Sequence, residues 1–115
     1  MRQLEELQFL NDEERALLKR CSDIIRDIEP SAELILYGSR ARGDAEPESD
    51  YDLLILIDGE ANLKKEELIC RKIYPIELET GKALTAIVYN RQLWNGSLYR
   101  AMPFHKNIER DGAIV

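Results

Sequence analysis

Two short apolar runs and the polar loop between them constrain this chain more than any other feature. The first run, residues 34–37, leads into a Gly-Ser pair, and the second, residues 53–57, follows Asp50 and Asp52. Short, wholly apolar runs of this kind predict buried strands. Because residues i and i+2 of a strand point to the same face, we expect Asp50 and Asp52 to bring two carboxylates together where the second strand begins.

The paired carboxylates of Asp50 and Asp52 predict a cation site. Two negative charges side by side repel each other unless a cation lies between them or one carboxylate is protonated. Mg²⁺ prefers oxygen ligands and keeps coordination positions open for phosphate and water. We therefore predict that both aspartates are catalytic residues and metal ligands. The alternative is a turn before the strand in which both carboxylates face solvent.

The Gly-Ser pair and the two arginines that follow it predict a phosphate-binding loop. Gly38 and Ser39, at a tight turn after the first strand, can offer backbone N–H groups and a hydroxyl to phosphate oxygens. Arg40 and Arg42 add positive charge to the same loop, and a purely solvated side chain is the alternative for each. Together with the aspartates, these residue types predict metal-assisted transfer of a nucleotidyl group.

The spacing of these residues resembles a known signature. Gly-Ser, ten residues and then Asp-x-Asp is similar to the pattern of the nucleotidyltransferase superfamily that contains DNA polymerase beta, and more closely to that of the small minimal nucleotidyltransferases of bacteria and archaea. The resemblance implies a nucleotidyltransferase fold, Mg²⁺ as the cofactor, and ATP or another nucleoside triphosphate as the substrate. The nucleotide-binding residues that it implies are Gly38, Ser39, Arg40, Arg42 and Ser49.

The resemblance breaks at one position. The family uses a third carboxylate on a later strand, which we expect here over residues 83–89, and Thr85 stands where that aspartate would be. Glu77 and Glu79 are nearby alternatives, but they precede the turn predicted at residues 80–81. The departure is compatible with binding of metal and nucleotide, and it puts the rate of the chemical step in question.

Three functions compete at this point. The first is transfer of AMP from ATP to a hydroxyl of a partner protein. The resemblance implies that this partner is a HEPN-type toxin and that the present chain is its antitoxin. The second is a nucleotide-binding antitoxin with weak or no activity that acts by covering that toxin, which the residue at position 85 favours. The third is adenylylation of a small molecule such as an aminoglycoside. The lack of room for an acceptor domain argues against this third function.

Length and composition limit the number of domains and the classes of function that the chain can have. A chain of 115 residues predicts one domain, residues 1–115. The net charge of −6 argues against a broad nucleic-acid-binding surface, which needs clustered positive charge. No apolar run is long enough for a membrane span, the first residues do not form a signal peptide, and the two cysteines, Cys21 and Cys70, lack metal-ligand spacing. We expect a cytoplasmic protein.

Apolar periodicity and turn residues predict an α+β (α/β mixed) fold, with a small mixed sheet of fewer than four clear strands flanked by helices. The first long helix is expected to be capped by Asn11 and to end before Pro30. The other predicted helical segments are residues 4–10, 39–43, 63–73 and 90–94, and a helix that starts at Pro103. A hairpin or bent strand is predicted over residues 75–89, and a last short strand over residues 113–115.

The aromatic residues near the end of the chain allow several roles. Trp94, Tyr99 and Phe104 are expected to close the core or to form a partner interface, with a base-stacking platform as the alternative. Residues 93–104 are compatible with a homodimer or with a complex of different proteins. His105 is expected to have a surface or packing role rather than a catalytic one.

Overall fold

One mixed five-stranded sheet organises the chain, and the computed structural model describes all residues, 1–115. The strands are β1 (Arg2–Gln3), β2 (Glu33–Tyr37), β3 (Tyr51–Ile57), β4 (Leu84–Asn90) and β5 (Ala113–Ile114). The helices are α1 (Asp12–Ile28), α2 (Ser39–Arg42), α3 (Leu63–Thr80), α4 (Arg91–Trp94), α5 (Ser97–Arg100) and α6 (Pro103–Asp111). The predicted α+β fold is confirmed.

The two apolar runs form the middle of the sheet. The strand order is β1-β5-β2-β3-β4, so β2 and β3 are both interior strands, as their apolar sequences predict. β2 runs antiparallel to β3, and β3 runs parallel to β4. The register places Asp52 beside Tyr37 on one side and beside Thr85 on the other. The end of β2, the start of β3 and the start of β4 therefore meet at one edge of the molecule.

Both faces of the sheet are covered, because the side chains of β3 alternate between them. Leu53 and Ile55 point into the larger core cluster, which α1 and α3 complete. Leu54 and Leu56 point to the other face, where they pack with Trp94 and with residues of α6. Asp52 has the same parity as Leu54, so it belongs to the second face, at the rim above the aromatic cluster.

The start of α1 follows its predicted cap. The Asn11 side chain accepts a hydrogen bond from the backbone N–H of Glu14 at 2.7 Å, and the backbone N–H of Asn11 donates to the Glu14 carboxylate at 3.1 Å. This reciprocal capping box satisfies two backbone donors that a helix start would leave unpaired. The helix ends at Ile28, before Pro30, as the sequence predicts.

The largest error of the sequence prediction lies in α3. The helix does not end at residue 73 but continues through Pro75 to Thr80, so the predicted hairpin over residues 75–89 is wrong and β4 begins only at Leu84. Ile76 continues the buried apolar row of the helix beyond the proline, and its burial offsets the lost hydrogen bond. Gly81 then ends the helix in a left-handed conformation. Neither α3 nor any other helix is long and apolar enough to cross a membrane.

The chain start also differs from the prediction. Residues 4–10 do not form a leading helix; the chain begins with β1, followed by a single 3-10 turn at Leu4–Glu6. β1 pairs with β5, which raises the number of strands to five instead of fewer than four. The Arg2 guanidinium donates to the carbonyls of Ala41 and Asp111, and it thereby ties α2 to the end of α6.

The C-terminal aromatic residues close the second face of the sheet. Trp94 is buried and its ring lies within 6 Å of the rings of Tyr89, Phe104 and His105. His105 is not at the surface: it is only 4% exposed and stacks on Trp94 with ring centroids 4.4 Å apart. Of the two predicted roles, surface or packing, His105 has the packing role, because its helix turns it inward together with Ile108.

Candidate functional site

The turn between β2 and α2 brings the backbone very close to Asp52. Gly38 has φ +74° and ψ −157°, a conformation in which essentially only glycine is found. A Cβ atom at this position would lie 2.4 Å from Oδ2 of Asp52. Gly38 is therefore required both for the path of the chain and for the space that the carboxylate occupies.

The other oxygen of the Asp52 carboxylate has a partner on β4. The Thr85 hydroxyl donates a hydrogen bond of 2.7 Å to Oδ1 of Asp52, across the parallel pairing of β3 and β4. Tyr37 is the neighbour of Asp52 on β2. Burial raises the pKa of the Tyr37 phenol, and the negative charge of Asp52 raises it further, so the phenol is neutral beside the carboxylate.

Asp50 lies just before β3, at the same edge. It is exposed, and Tyr51 next to it is held in place because its backbone N–H donates to the Ala83 carbonyl at 2.9 Å. No group of three or more His, Cys, Asp or Glu residues is arranged to hold a metal ion. This edge therefore carries Asp50 and Asp52, and beside Asp52 it carries the hydroxyl of Thr85, the residue expected from the sequence to replace a third aspartate.

The donor set suits a hard cation that shares its coordination with a phosphate. Asp50 and Asp52 could supply carboxylate oxygens, which Mg²⁺ prefers, and two protein ligands would leave positions for phosphate oxygens and water. The cradle that Gly38 leaves for Oδ2 of Asp52 shows that the backbone accommodates this carboxylate closely. Glu79 does not join the site, because it lies on α3 and pairs with Arg20. Glu77, the other alternative, also lies on α3.

Arg40 is engaged with the loop that precedes Asp50. Its Nε donates to the Ser49 carbonyl at 3.2 Å, and its Nη2 donates to the carbonyls of Ser49 at 2.8 Å and Pro47 at 3.1 Å. The guanidinium also lies 4.3 Å from the centre of the Tyr51 ring. These contacts give Arg40 a role in holding the loop, and its predicted contact with phosphate stays a prediction.

The other predicted nucleotide-binding residues lie around the same turn. Ser39 is the first residue of α2. The N–H groups of Ala41 and Arg42 donate to the Gly38 carbonyl at 3.0 and 3.1 Å, so the N–H groups of Ser39 and Arg40 are the ones left at the start of this short helix. Arg42 is exposed and its Nε donates to the Asp44 carboxylate at 3.3 Å. The Ser49 hydroxyl accepts a hydrogen bond from the backbone N–H of Glu46 at 3.0 Å, so it shapes the loop.

Glu14 and Tyr51 are contacts of the loop that the sequence analysis did not assign to the site. The Tyr51 hydroxyl donates to the Glu14 carboxylate at 2.8 Å, and the Glu14 carboxylate lies 3.8 Å from Nη1 of Arg40. Burial, followed by the hydrogen bond and the charge of Glu14, raises the pKa of Tyr51 to about 12. The helical cap residue Glu14 gave no signal of this contact, because the contact joins residues 37 positions apart.

A cavity of about 390 Å³ lies against these three residues, and α1 forms one of its walls. Glu14, Arg40, Pro47 and Tyr51 are among its lining residues, whereas neither aspartate lines it. Because Tyr51 and Asp52 point to opposite faces of β3, the cavity lies on the other side of the strand from the carboxylate. The Asp52 carboxylate therefore does not face this cavity.

The chain matches one family model and is similar in sequence to two named proteins. A family model described as "Nucleotidyltransferase domain" matches residues 18–112, which include every predicted site residue. Two proteins of Methanocaldococcus jannaschii, each named "Putative protein adenylyltransferase", are similar in sequence. The first is 34% identical over 82 residues, which cover 71% of this chain and 75% of that protein. The second is 35% identical over 60 residues, which cover 52% of this chain and 61% of that protein.

Proposed function

The chain belongs to the nucleotidyltransferase domain family, and we propose that it transfers AMP from ATP to a hydroxyl of a partner protein in a Mg²⁺-dependent reaction. The observation that carries the proposal is the position of the Asp52 carboxylate. It lies against the Gly38 turn and is hydrogen-bonded by Thr85, at the edge where the chain presents Asp50.

The two aspartates supply the charge that the reaction needs. Asp50 and Asp52 would hold Mg²⁺, which, when bound together with ATP, neutralises charge that passes to the leaving pyrophosphate. In the transfer, the acceptor oxygen forms a bond to the α-phosphorus, and the bond from that phosphorus to the bridging oxygen of pyrophosphate breaks. The proton of the acceptor hydroxyl passes to solvent or to a group of the partner, since no third carboxylate is present in the site.

The turn after β2 would bind the other phosphates of ATP. The Ser39 hydroxyl and the N–H groups of Ser39 and Arg40 are donors suited to phosphate oxygens, since those of Ala41 and Arg42 already donate to the Gly38 carbonyl. Arg42 is exposed at the end of the same helix, and its only close partner is one carboxylate of the loop. Arg40 would act indirectly, because it holds the carbonyls of Pro47 and Ser49 and so sets the path of the chain into Asp50.

A protein acceptor is supported by the names of the two relatives, which describe transfer of an adenylyl group to a protein. The resemblance to minimal nucleotidyltransferases adds a HEPN-type toxin as the candidate acceptor. A second candidate function, neutralisation of that toxin by binding alone, is favoured by Thr85, which leaves the site without a carboxylate that could receive the acceptor's proton.

Calorimetric titration with a non-hydrolysable ATP analogue, with and without Mg²⁺, tests the site. We expect Mg²⁺-dependent binding by the natural protein and its loss in the double variant Asp50→Asn/Asp52→Asn. The matched control is Asp23→Asn/Asp27→Asn, which removes the same charge from the exposed face of α1 and should bind normally. Equal binding by both double variants would refute the site.

Transfer is tested separately, with α-labelled ATP and a candidate partner toxin. Label on the partner that disappears with Asp50→Asn/Asp52→Asn supports the enzyme. If the double variant still neutralises the toxin and no label is transferred, the binding function is favoured instead.

A further inference from the structure

The hydroxyl of Thr85 is placed by the sheet itself. Thr85 is the register partner of Asp52 in the pairing of β3 with β4, and β4 is the edge strand of the sheet. Its side chain is exposed, so it is not required to fill the core. A threonine on a strand has a stiff side-chain torsion, which keeps the donor atom in one place. The hydrogen bond of 2.7 Å to Oδ1 of Asp52 is therefore made by an oxygen that the sheet fixes.

The carboxylate of Asp52 is restrained on both of its oxygens. Oδ1 accepts the hydrogen bond from Thr85, while Oδ2 occupies the space that the missing side chain of Gly38 leaves open. The terminal torsion of an aspartate is otherwise broad, and an exposed carboxylate samples many orientations. The two restraints select one of these orientations and leave further lone pairs of the carboxylate available to a cation.

We propose that Thr85 is a positioning residue that holds the Asp52 carboxylate in its cation-binding orientation, an inference that rests on the proposed function. A hydroxyl restrains the carboxylate without adding a third negative charge to the site. Two carboxylates attract a free cation less strongly than three would, so the cation enters this site together with the nucleotide phosphates. Groups that orient a metal ligand typically change metal affinity or activity by about 10- to 100-fold when they are removed.

The test compares Thr85→Val with Thr85→Ser. Valine keeps the branched shape and suits a strand but lacks the hydroxyl, whereas serine keeps the hydroxyl. Mn²⁺ binding in the presence of a non-hydrolysable ATP analogue is measured by electron paramagnetic resonance. We expect Thr85→Val to weaken Mn²⁺ binding by at least about tenfold. Thr85→Ser should stay within about threefold of the natural protein, because its hydroxyl can still donate to the carboxylate.

Two controls separate orientation from folding. Thr80→Val changes another exposed threonine, on α3, and should leave Mn²⁺ binding unchanged. Thermal unfolding of each variant in the absence of Mn²⁺ shows whether the sheet is intact. Where transfer is measured, Thr85→Val should lower kcat and leave KM for the acceptor protein unchanged.

The outcomes distinguish this inference from the proposed function. Equal Mn²⁺ binding by Thr85→Val and the natural protein overturns the positioning role and leaves the transferase proposal standing. Equal losses in Thr85→Val and Thr85→Ser also overturn it, because the serine variant keeps the hydroxyl and the loss could then not be assigned to the missing hydrogen bond. The expected pattern of Mn²⁺ binding without transfer to any partner supports the positioning role and counts against the transferase. A natural protein that binds neither Mn²⁺ nor the analogue overturns both.

Discussion

Replacing Gly38 with alanine should both destabilise the protein and abolish binding of the nucleotide with its cation. The new Cβ would lie 2.4 Å from Oδ2 of Asp52, so the carboxylate must move away and lose its hydrogen bond with Thr85. The backbone at this position, φ +74° and ψ −157°, is also one that alanine rarely adopts. The contact with the carboxylate should affect binding as well as stability, whereas the unfavourable backbone conformation should affect stability alone. A variant at a second glycine distinguishes these two effects.

Gly81 provides the matched control. Its φ of +71° is also positive, but a Cβ there meets no atom within 4 Å. Alanine in this left-handed conformation costs about 1 kcal/mol of folding free energy. At Gly38 the backbone costs about 2 kcal/mol, and the lost hydrogen bond about 1 kcal/mol more. We therefore expect a decrease of about 3 kcal/mol for Gly38→Ala and about 1 kcal/mol for Gly81→Ala.

Urea denaturation measures the free energy of unfolding, and calorimetry with Mg²⁺ and the ATP analogue measures binding. Gly59→Ala is the reference, because Gly59 has neither a positive φ nor an atom near the added Cβ. Gly81→Ala should bind as the natural protein does, whereas Gly38→Ala should not bind measurably. A Gly38→Ala variant that is as stable as Gly81→Ala, or that binds the analogue with unchanged affinity, would refute the close contact of Gly38 with Asp52 as the cause.

Three further predictions concern the two arginines, Tyr51 and the cysteines. Arg40→Ala should lower the free energy of unfolding by about 2 kcal/mol, since it removes hydrogen bonds and an aromatic contact. Arg42→Ala, which removes only an exposed ion pair, should change it by less than about 0.5 kcal/mol. Urea denaturation measures both changes. Burial and the Glu14 carboxylate raise the pKa of Tyr51 to about 12 in the folded protein, whereas in the unfolded chain it is about 10. Between these pH values the folded protein keeps the phenol proton and the unfolded chain loses it, so the free energy of unfolding should fall as the pH rises from about 10 to about 12. Denaturation at several pH values should show a smaller fall for Tyr51→Phe. A thiol reagent at about pH 8 should modify only Cys70 in the native protein. Cys21 should not react, because it is buried and burial raises its pKa to about 11. A second thiol that reacts before the protein unfolds would contradict this.

The local chemistry of the sequence predicted most of the elements, and long-range contacts account for the errors. Asn11 and Pro103 mark helix starts by capping rules that depend on a few neighbouring residues, and both predictions are confirmed. Pro75 misled the prediction because the cost of a proline inside a helix is local, whereas the burial of Ile76 that offsets it depends on the sheet. β1 could not be predicted, since a two-residue strand has no pattern apart from its partner at the other end of the chain.

In the candidate site, too, the local pattern of the sequence was predictive and the long-range contacts were not predicted. The period of a strand placed Asp50 and Asp52 at one edge, and the register now shows Thr85 directly beside Asp52, where a third carboxylate was looked for. The sequence did not predict what Arg40 contacts, because its partners depend on the path of an irregular loop. Nor did it indicate that the threonine hydroxyl would donate to the aspartate, since that bond requires the exact pairing of two strands.

The contacts of Arg2 have a consequence for the order of events in folding. This side chain donates to the Ala41 carbonyl of α2, 39 positions from Arg2 along the chain, and to the Asp111 carbonyl, 109 positions from Arg2. Bringing such distant segments together costs about 4 kcal/mol in chain entropy, so these contacts should form after the central hairpin of β2 and β3. The turn proposed to bind phosphate would then reach its final rigidity only when the two ends of the chain have met.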